Sequence, residues 1–267
     1  MLRLIIFAIP LLSSYFKKHL KEPMFALIRK EVNSFLNSLI GYIVILVFLV
    51  TLSLFLWIFP GSNFNIPDSG YATMDGLFVI TPFVYLFLIP AITMRLFSEE
   101  KKTGTIELLL TKPLTEMQVV FAKYISGVVL VLFSLIPTLV YYFTIYNISL
   151  PAGNVDSGAI WGSYIGLLLL GAGFTAIGLF ASAVSDNQVV SFIIAFFLCL
   201  FFLQGFESLS GLIQTGWISS LLLSFSINAH YLSLSRGVVD TRDVIYFLSL
   251  IALFLVMTKT VMESRKW

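Results

Sequence analysis

Six uncharged apolar runs, each about twenty residues long, dominate this chain: 39–59, 76–94, 124–146, 158–183, 189–206 and 244–258. A helix rises about 1.5 Å per residue, so runs of that order suit a hydrocarbon layer about 30 Å thick. Inside such a layer every backbone amide must be bonded within the protein, which leaves helices and closed barrels. Barrel strands alternate polar and apolar residues over about ten positions, and LIGYIVILVFLVTLSLFLWIF shows no alternation. The chain is therefore expected to be an all-α, polytopic membrane protein with six transmembrane helices. Composition agrees: 58% of the 267 residues are hydrophobic and 11% charged, against about 25% charged in soluble domains. No loop is long enough to fold into a separate catalytic domain.

Charge between the runs sets the expected orientation. With both termini cytoplasmic, Arg3, Lys17, Lys18, Lys21, Arg29, Lys30, Arg95, Lys101, Lys102, Lys112, Lys123, Lys259, Arg265 and Lys266 lie inside, and Arg236 and Arg242 outside. The uncharged segment 208–228 holds nine Ser, Thr, Gln or Asn residues, with Gly211 and Gly216 near its centre. That polarity suits a re-entrant hairpin on the outer side, between spans five and six. A seventh crossing is the alternative, and it would leave three basic residues outside.

Residues 1–23 start positively and contain an apolar stretch, Leu4–Leu12, too short to span and without a following cleavage site. They read as an N-terminal extension, either a start upstream of a functional Met24 or a basic tail on the membrane surface. From Phe25 the apolar positions Ile28, Val32, Phe35, Leu36 and Leu39 follow a helical rhythm, with Arg29, Lys30, Glu31, Asn33 and Asn37 opposite. This predicts an amphipathic helix in the cytoplasmic headgroup layer.

Several chemistries lack their residues. The six span cores carry no ionisable group, which disfavours proton or sodium antiport. His19 and His230 fall on opposite sides in this topology and read as ordinary polar surface residues; no metal or catalytic cluster can be assembled from them. Cys199 is a lone packing residue within an apolar run. No G-x-x-x-x-G-K-[ST] loop occurs, so any ATP must be bound by another subunit. No cofactor, metal or nucleic-acid partner is expected for the chain itself.

The charge-dense loop between spans two and three reads MRLFSEEKKTGTIELLLTKPLTEMQVVFAK. Glu99, Glu100, Lys101 and Lys102 precede a break at Gly104; Thr105 is placed to cap a short helix through Glu107 to Leu110. Glu107 sits in its first turn, where negative charge complements the helix dipole. Pro113 ends that helix, and Thr115 caps the next. A short helix between two breaks, with a Leu108–Leu110 ridge, suits insertion into a partner's groove. A well-capped loop whose charges merely obey the inside rule explains the same residues.

The string from Glu99 to Thr115, EEKKTGTIELLLTKPLT, resembles the signature of ABC-2 type transporter permeases, and Lys123 fits the lysine that follows it. The order of parts from Met24 onward resembles that family too. The resemblance implies an N-terminal elbow helix, six spans, a cytoplasmic coupling helix and re-entrant helices between spans five and six, all within a permease domain over 24–267. It implies that Glu99, Glu100, Gly104, Thr105, Glu107, Leu108 and Pro113 contact a separate cytoplasmic ATPase that holds ATP and Mg²⁺, and that none of them is catalytic. The chain is most similar to the gliding-motility-associated permease subunit of Bacteroidetes, which works with an ATPase and a second membrane subunit. An export-type permease subunit in the bacterial inner membrane is thus expected, as a homodimer or heteromer. A non-transporting scaffold or mechanotransmitter driven by the same ATPase is the alternative.

Gly158, Gly162 and Gly166 make a small-residue stripe entering span four, suited to close helix packing. Pro82 and Pro90 in span two and Pro137 in span three are expected to kink their helices. Tyr71, Trp161, Trp217 and Tyr231 lie near predicted boundaries and read as interfacial belt residues.

Overall fold

The computed structural model describes residues 23–61, 64–110, 114–213 and 216–264. The N-terminal extension up to residue 22 and Pro113 lie outside the described residues, as do the side chains of Leu108 and Leu110. Regular structure among the described residues is helical throughout.

Helix α1 covers 23–36 and turns sharply into α2 (Leu39–Ser53). The Ser38 hydroxyl accepts the Gly41 amide and donates to the Phe35 carbonyl. A side chain at Gly41 would collide with that same carbonyl, so glycine is what lets the turn close. A π-helical segment, Leu54–Ile58, completes the first span. Short α3 (Ile66–Ser69) leads to α4 (Asp75–Thr93) and α5 (Arg95–Lys102), which together form the second. After α6 (Ile106–Leu110), α7 (Glu116–Leu135), a 3-10 turn at Ile136–Thr138 and α8 (Leu139–Ile148) form the third. The fourth is α9 (Ser157–Val184), and the fifth joins α10 (Gln188–Leu200), a π segment at Phe201–Gly205 and α11 (Phe206–Leu212). Helices α12 (Gly216–Leu223) and α13 (Ile227–Leu234) precede the sixth, α14 (Thr241–Glu263).

All six apolar runs thus coincide, but for Phe59 at the end of the first, with helices long and apolar enough to cross a membrane. Several helices overshoot their runs. Span two continues through a charged turn to Lys102, and span three starts at Glu116, where Thr115 and Gln118 form a reciprocal capping box.

Span four is the axis of the bundle, with α4, α7, α10 and α14 packed around it. Small residues permit this closeness. A Cβ on Gly127 would lie 2.6 Å from Thr175, and one on Gly171 would lie 2.7 Å from Val131. In the stripe entering α9, Gly162 meets the Gly237 backbone and Gly166 abuts Leu234, whereas a Cβ on Gly158 would meet only its own cap residue, Asp156, at 3.5 Å. Spans one, five and six show much apolar surface, including Leu46, Val50, Val189, Phe197, Leu248 and Val256, as lipid contact demands.

Segment 208–228 is divided among the end of α11, α12 and the start of α13. Helix α11 is the end of span five, and α12 and α13, of eight residues each, are only about 12 Å long and cannot cross. Helix α12 folds back on α11 through a Ser219 hydroxyl bond to the Ser210 carbonyl (3.2 Å), and Phe225, in the turn after α12, packs on Phe206. Tyr231 corrects its expected place in an interfacial belt. It is 2% exposed, and its hydroxyl donates to the Phe78 carbonyl at 2.7 Å. Proline has no N–H, so Pro82 cannot bond the carbonyl four residues back; that carbonyl belongs to Phe78, and Tyr231 takes the vacated bond.

Two variants separate these contacts from tolerant positions. Tyr231→Phe leaves the Phe78 carbonyl buried and unpaired, at a cost of about 1–3 kcal/mol. Gly158→Ala, whose added methyl makes only an ordinary contact with Asp156, is expected within about 0.5 kcal/mol of the parent. Thermal unfolding in one detergent checks both.

Candidate functional site

The loop after span two is attached to the bundle by charge. Lys123, on the second turn of α7, has no exposed side-chain surface (0%), yet its ammonium lies 3.0 Å from Glu31 Oε1 on α1 and 2.9 Å from Glu100 Oε2 on α5. It also bonds the Leu96 carbonyl and sits 5.1 Å from the Phe97 ring centroid. Lys30 closes the group, 2.9 Å from Glu100 Oε1. Two carboxylates and two ammonium groups are therefore gathered from α1, α5 and α7. An isolated charge taken from water into this setting costs several kcal/mol, so the pairing is what permits Lys123 to be there. Burial alone would favour a neutral Lys30, but its hydrogen bond to Glu100 and the nearby carboxylates outweigh that and raise its pKa. Its stabilising share is full below the ordinary lysine range and is lost as pH climbs through the raised value.

Further contacts lock the same junction. Arg95 lies 3.7 Å from Glu99 and over the Phe35 ring of α1. Ser182, at the end of α9, accepts the amides of Phe97 and Ser98 and donates to the Met94 carbonyl. The Lys101 side chain is also enclosed, reaching the Ala183 carbonyl and Asp186. A cation near the last carbonyls of a helix is favourably placed against the dipole.

Beyond α5 the chain reverses at Gly104, whose φ of +71° suits glycine and strains other residues. The Thr105 hydroxyl turns back to Thr103 (2.9 Å) and the Glu100 carbonyl, while its own carbonyl receives the Leu109 amide and starts α6. Leu109 is buried against the bundle, which roots α6.

The residues expected to meet a partner therefore divide. Glu99 (53% exposed side chain), Gly104, Thr105 and Glu107 lie on the surface of one turn. Glu100 (11%) points inward and is consumed by Lys123 and Lys30. On the polar side of α1, Glu31 (12% exposed side chain) also turns inward to Lys123, while Lys30 (59%) stays at the surface and reaches in to Glu100. The pattern of α1 could not reveal this, because a polar face turned to a buried cation reads like one turned to water. A faint signal was available in Lys123 itself, a lone cation at the edge of an apolar run. Among the described residues no group of three or more His, Cys, Asp or Glu is placed to hold a metal ion.

Removing one partner of a buried ion pair strands the other, so Lys123→Met is expected to cost about 3–5 kcal/mol. Losing the Arg95–Glu99 pair by Glu99→Gln, at a half-exposed site, should cost less than about 1 kcal/mol. Denaturation midpoints of the two variants in one detergent distinguish these sizes.

A family model for ABC-2 family transporter proteins matches residues 25–262 of the chain. No curated protein matches it.

Proposed function

The chain belongs to the ABC-2 family of transporter membrane proteins, and we propose that the turn and short helix between α5 and α7 receive the stroke of its partner ATPase. In this family the membrane component is a permease that lacks ATPase activity and pairs with an ABC ATPase. Glu99, Gly104, Thr105, Glu107, Leu108 and Pro113 would form the contact, with Glu100 holding the loop from within rather than touching the partner.

The observation that supports this reading is the enclosed Lys123. It ties α5 and α7, the ends of spans two and three that flank the loop, to one another and to α1. A push on the loop is thereby delivered to three helices together and not absorbed by a flexible link. ATP and Mg²⁺ on the partner supply the energy, and the ATPase drives the permease only so far as it binds two permease states with different affinity. This reading puts both termini on the cytoplasmic side of a bacterial inner membrane, α1 in the headgroup layer as an elbow, and segment 208–228, between spans five and six, as a re-entrant hairpin on the outer side. A second permease subunit, identical or not, completes the path. The resemblance to gliding-motility permeases favours export in that system.

The test is co-purification from native membranes in mild detergent. The parent protein should retain a P-loop ATPase; Glu107→Lys should recover at least about tenfold less, the effect of reversing a contact charge. Gly104→Pro should do likewise, since proline fixes φ near −65° where about +71° is needed. Equal recovery with both variants, at parental expression, would remove the loop from the interface.

A further inference from the structure

We propose that His230 is a proton-operated latch that fastens the α12–α13 turn to span six, on the face of the bundle opposite α5 and α6. The opposition follows from α4: Tyr231 bonds Phe78 near its start, whereas α5 follows its end, and a helix of 19 residues is about 28 Å long.

Both ring nitrogens of His230 face acceptors. Nδ1 is 2.8 Å from Asp243 Oδ1 on α14, and Nε2 is 3.2 Å from the Ser224 carbonyl beyond α12. A neutral imidazole carries one N–H and an imidazolium two. Only the protonated ring can therefore satisfy both partners. Loss of the proton sets a nitrogen lone pair against an oxygen, most cheaply at Ser224, since Asp243 supplies a carboxylate for the remaining N–H. The ring is further held by stacking on Tyr246, centroids 4.0 Å apart, and Ser233 donates to the other Asp243 oxygen. His230 is thus built into a junction, not solvated as its sequence position suggests.

The surroundings define what else can respond. Asp243 and Tyr246 face the ring from α14, and Tyr246 donates to the Phe225 carbonyl at 2.7 Å. Helix α11 brings Glu207, bonded by Asn228, and α9 brings Tyr164, which bonds Thr138. Helix α12 has no titratable residue; Arg236 and Asp240 lie in the link from α13 to α14, and Arg242 in the first turn of α14. Carboxylates and tyrosines ordinarily titrate outside the interval from about pH 5 to 8.5, and histidine within it. The Tyr246 bond to the Phe225 carbonyl and a bond from the Ser226 hydroxyl to the Leu203 carbonyl (3.4 Å) do not involve the imidazole, so the latch loosens the turn without unfolding it. The residue after His230 is Tyr231, which holds the proline-vacated carbonyl of span two. Protonation at this face is thereby set beside the helix that leads to the charged junction.

A nitroxide on Ser220→Cys, at an exposed position of α12, in a Cys199→Ala background reports the latch in nanodiscs. In the otherwise parental chain the mobile fraction should rise about tenfold between about pH 5 and 8.5, the size expected for one charge-assisted hydrogen bond. His230→Gln should show the same mobility at both values. Asp243→Asn, which keeps a hydrogen-bonding side chain without the charge, should show a reduced response. A parental chain indifferent to pH, or variants that respond as fully as the parent, would overturn the proposal.

Discussion

An ammonium group sealed from water is the feature on which the junction of α1, α5 and α7 depends. Lys123 is tolerated only because Glu31 and Glu100 neutralise it from two other helices. Each partner is therefore committed to its place, for withdrawing any one leaves a buried charge uncompensated. Apolar packing alone would hold α1 against the bundle with little directional demand. The charged group adds direction, fixing α1, α5 and α7 to one geometry while leaving the next turn exposed.

The opposite end is held by hydrogen bonds rather than by charge density. Proline in span two vacates the Phe78 carbonyl, and Tyr231 fills it. One residue earlier, His230 fastens the same helix to span six and to the turn after α12. Between these ends lies α9, whose glycines admit neighbouring helices closely enough that the centre is close-packed. Close-packed interiors transmit displacement instead of yielding to it. A lever of this kind, stiff in the middle and specified at both ends, suits a permease worked from one side.

Much of the fold was legible in the residue order, because the hydrocarbon layer imposes length and polarity on each span. The ends were less so: α5 runs through Glu99 to Lys102, where hydropathy alone gives no reason for a helix to persist, whereas the start of α7 was marked by its cap, Thr115. The loop after span two was readable as a break, a short helix and a cap. Its division into an inward Glu100 and an outward Glu99 was not, since adjacent glutamates are equivalent until a cation arrives from α7. Glu31, Glu100 and Lys123 are distant in sequence, and no local period links them. Tyr231 and His230 were misread for the same reason: their partners, Phe78 and Asp243, are set by tertiary packing.

The claim that α1 and the loop move as one body is tested most directly by distance. Spin labels at exposed Arg29 on α1 and exposed Lys102 at the end of α5, read by pulsed resonance in the assembled transporter, report their separation. The charge junction predicts the same narrow distance distribution in the nucleotide-free and ATP-bound states. A shift or splitting of that distribution on ATP binding would contradict it, by showing that the junction gives way when the ATPase closes.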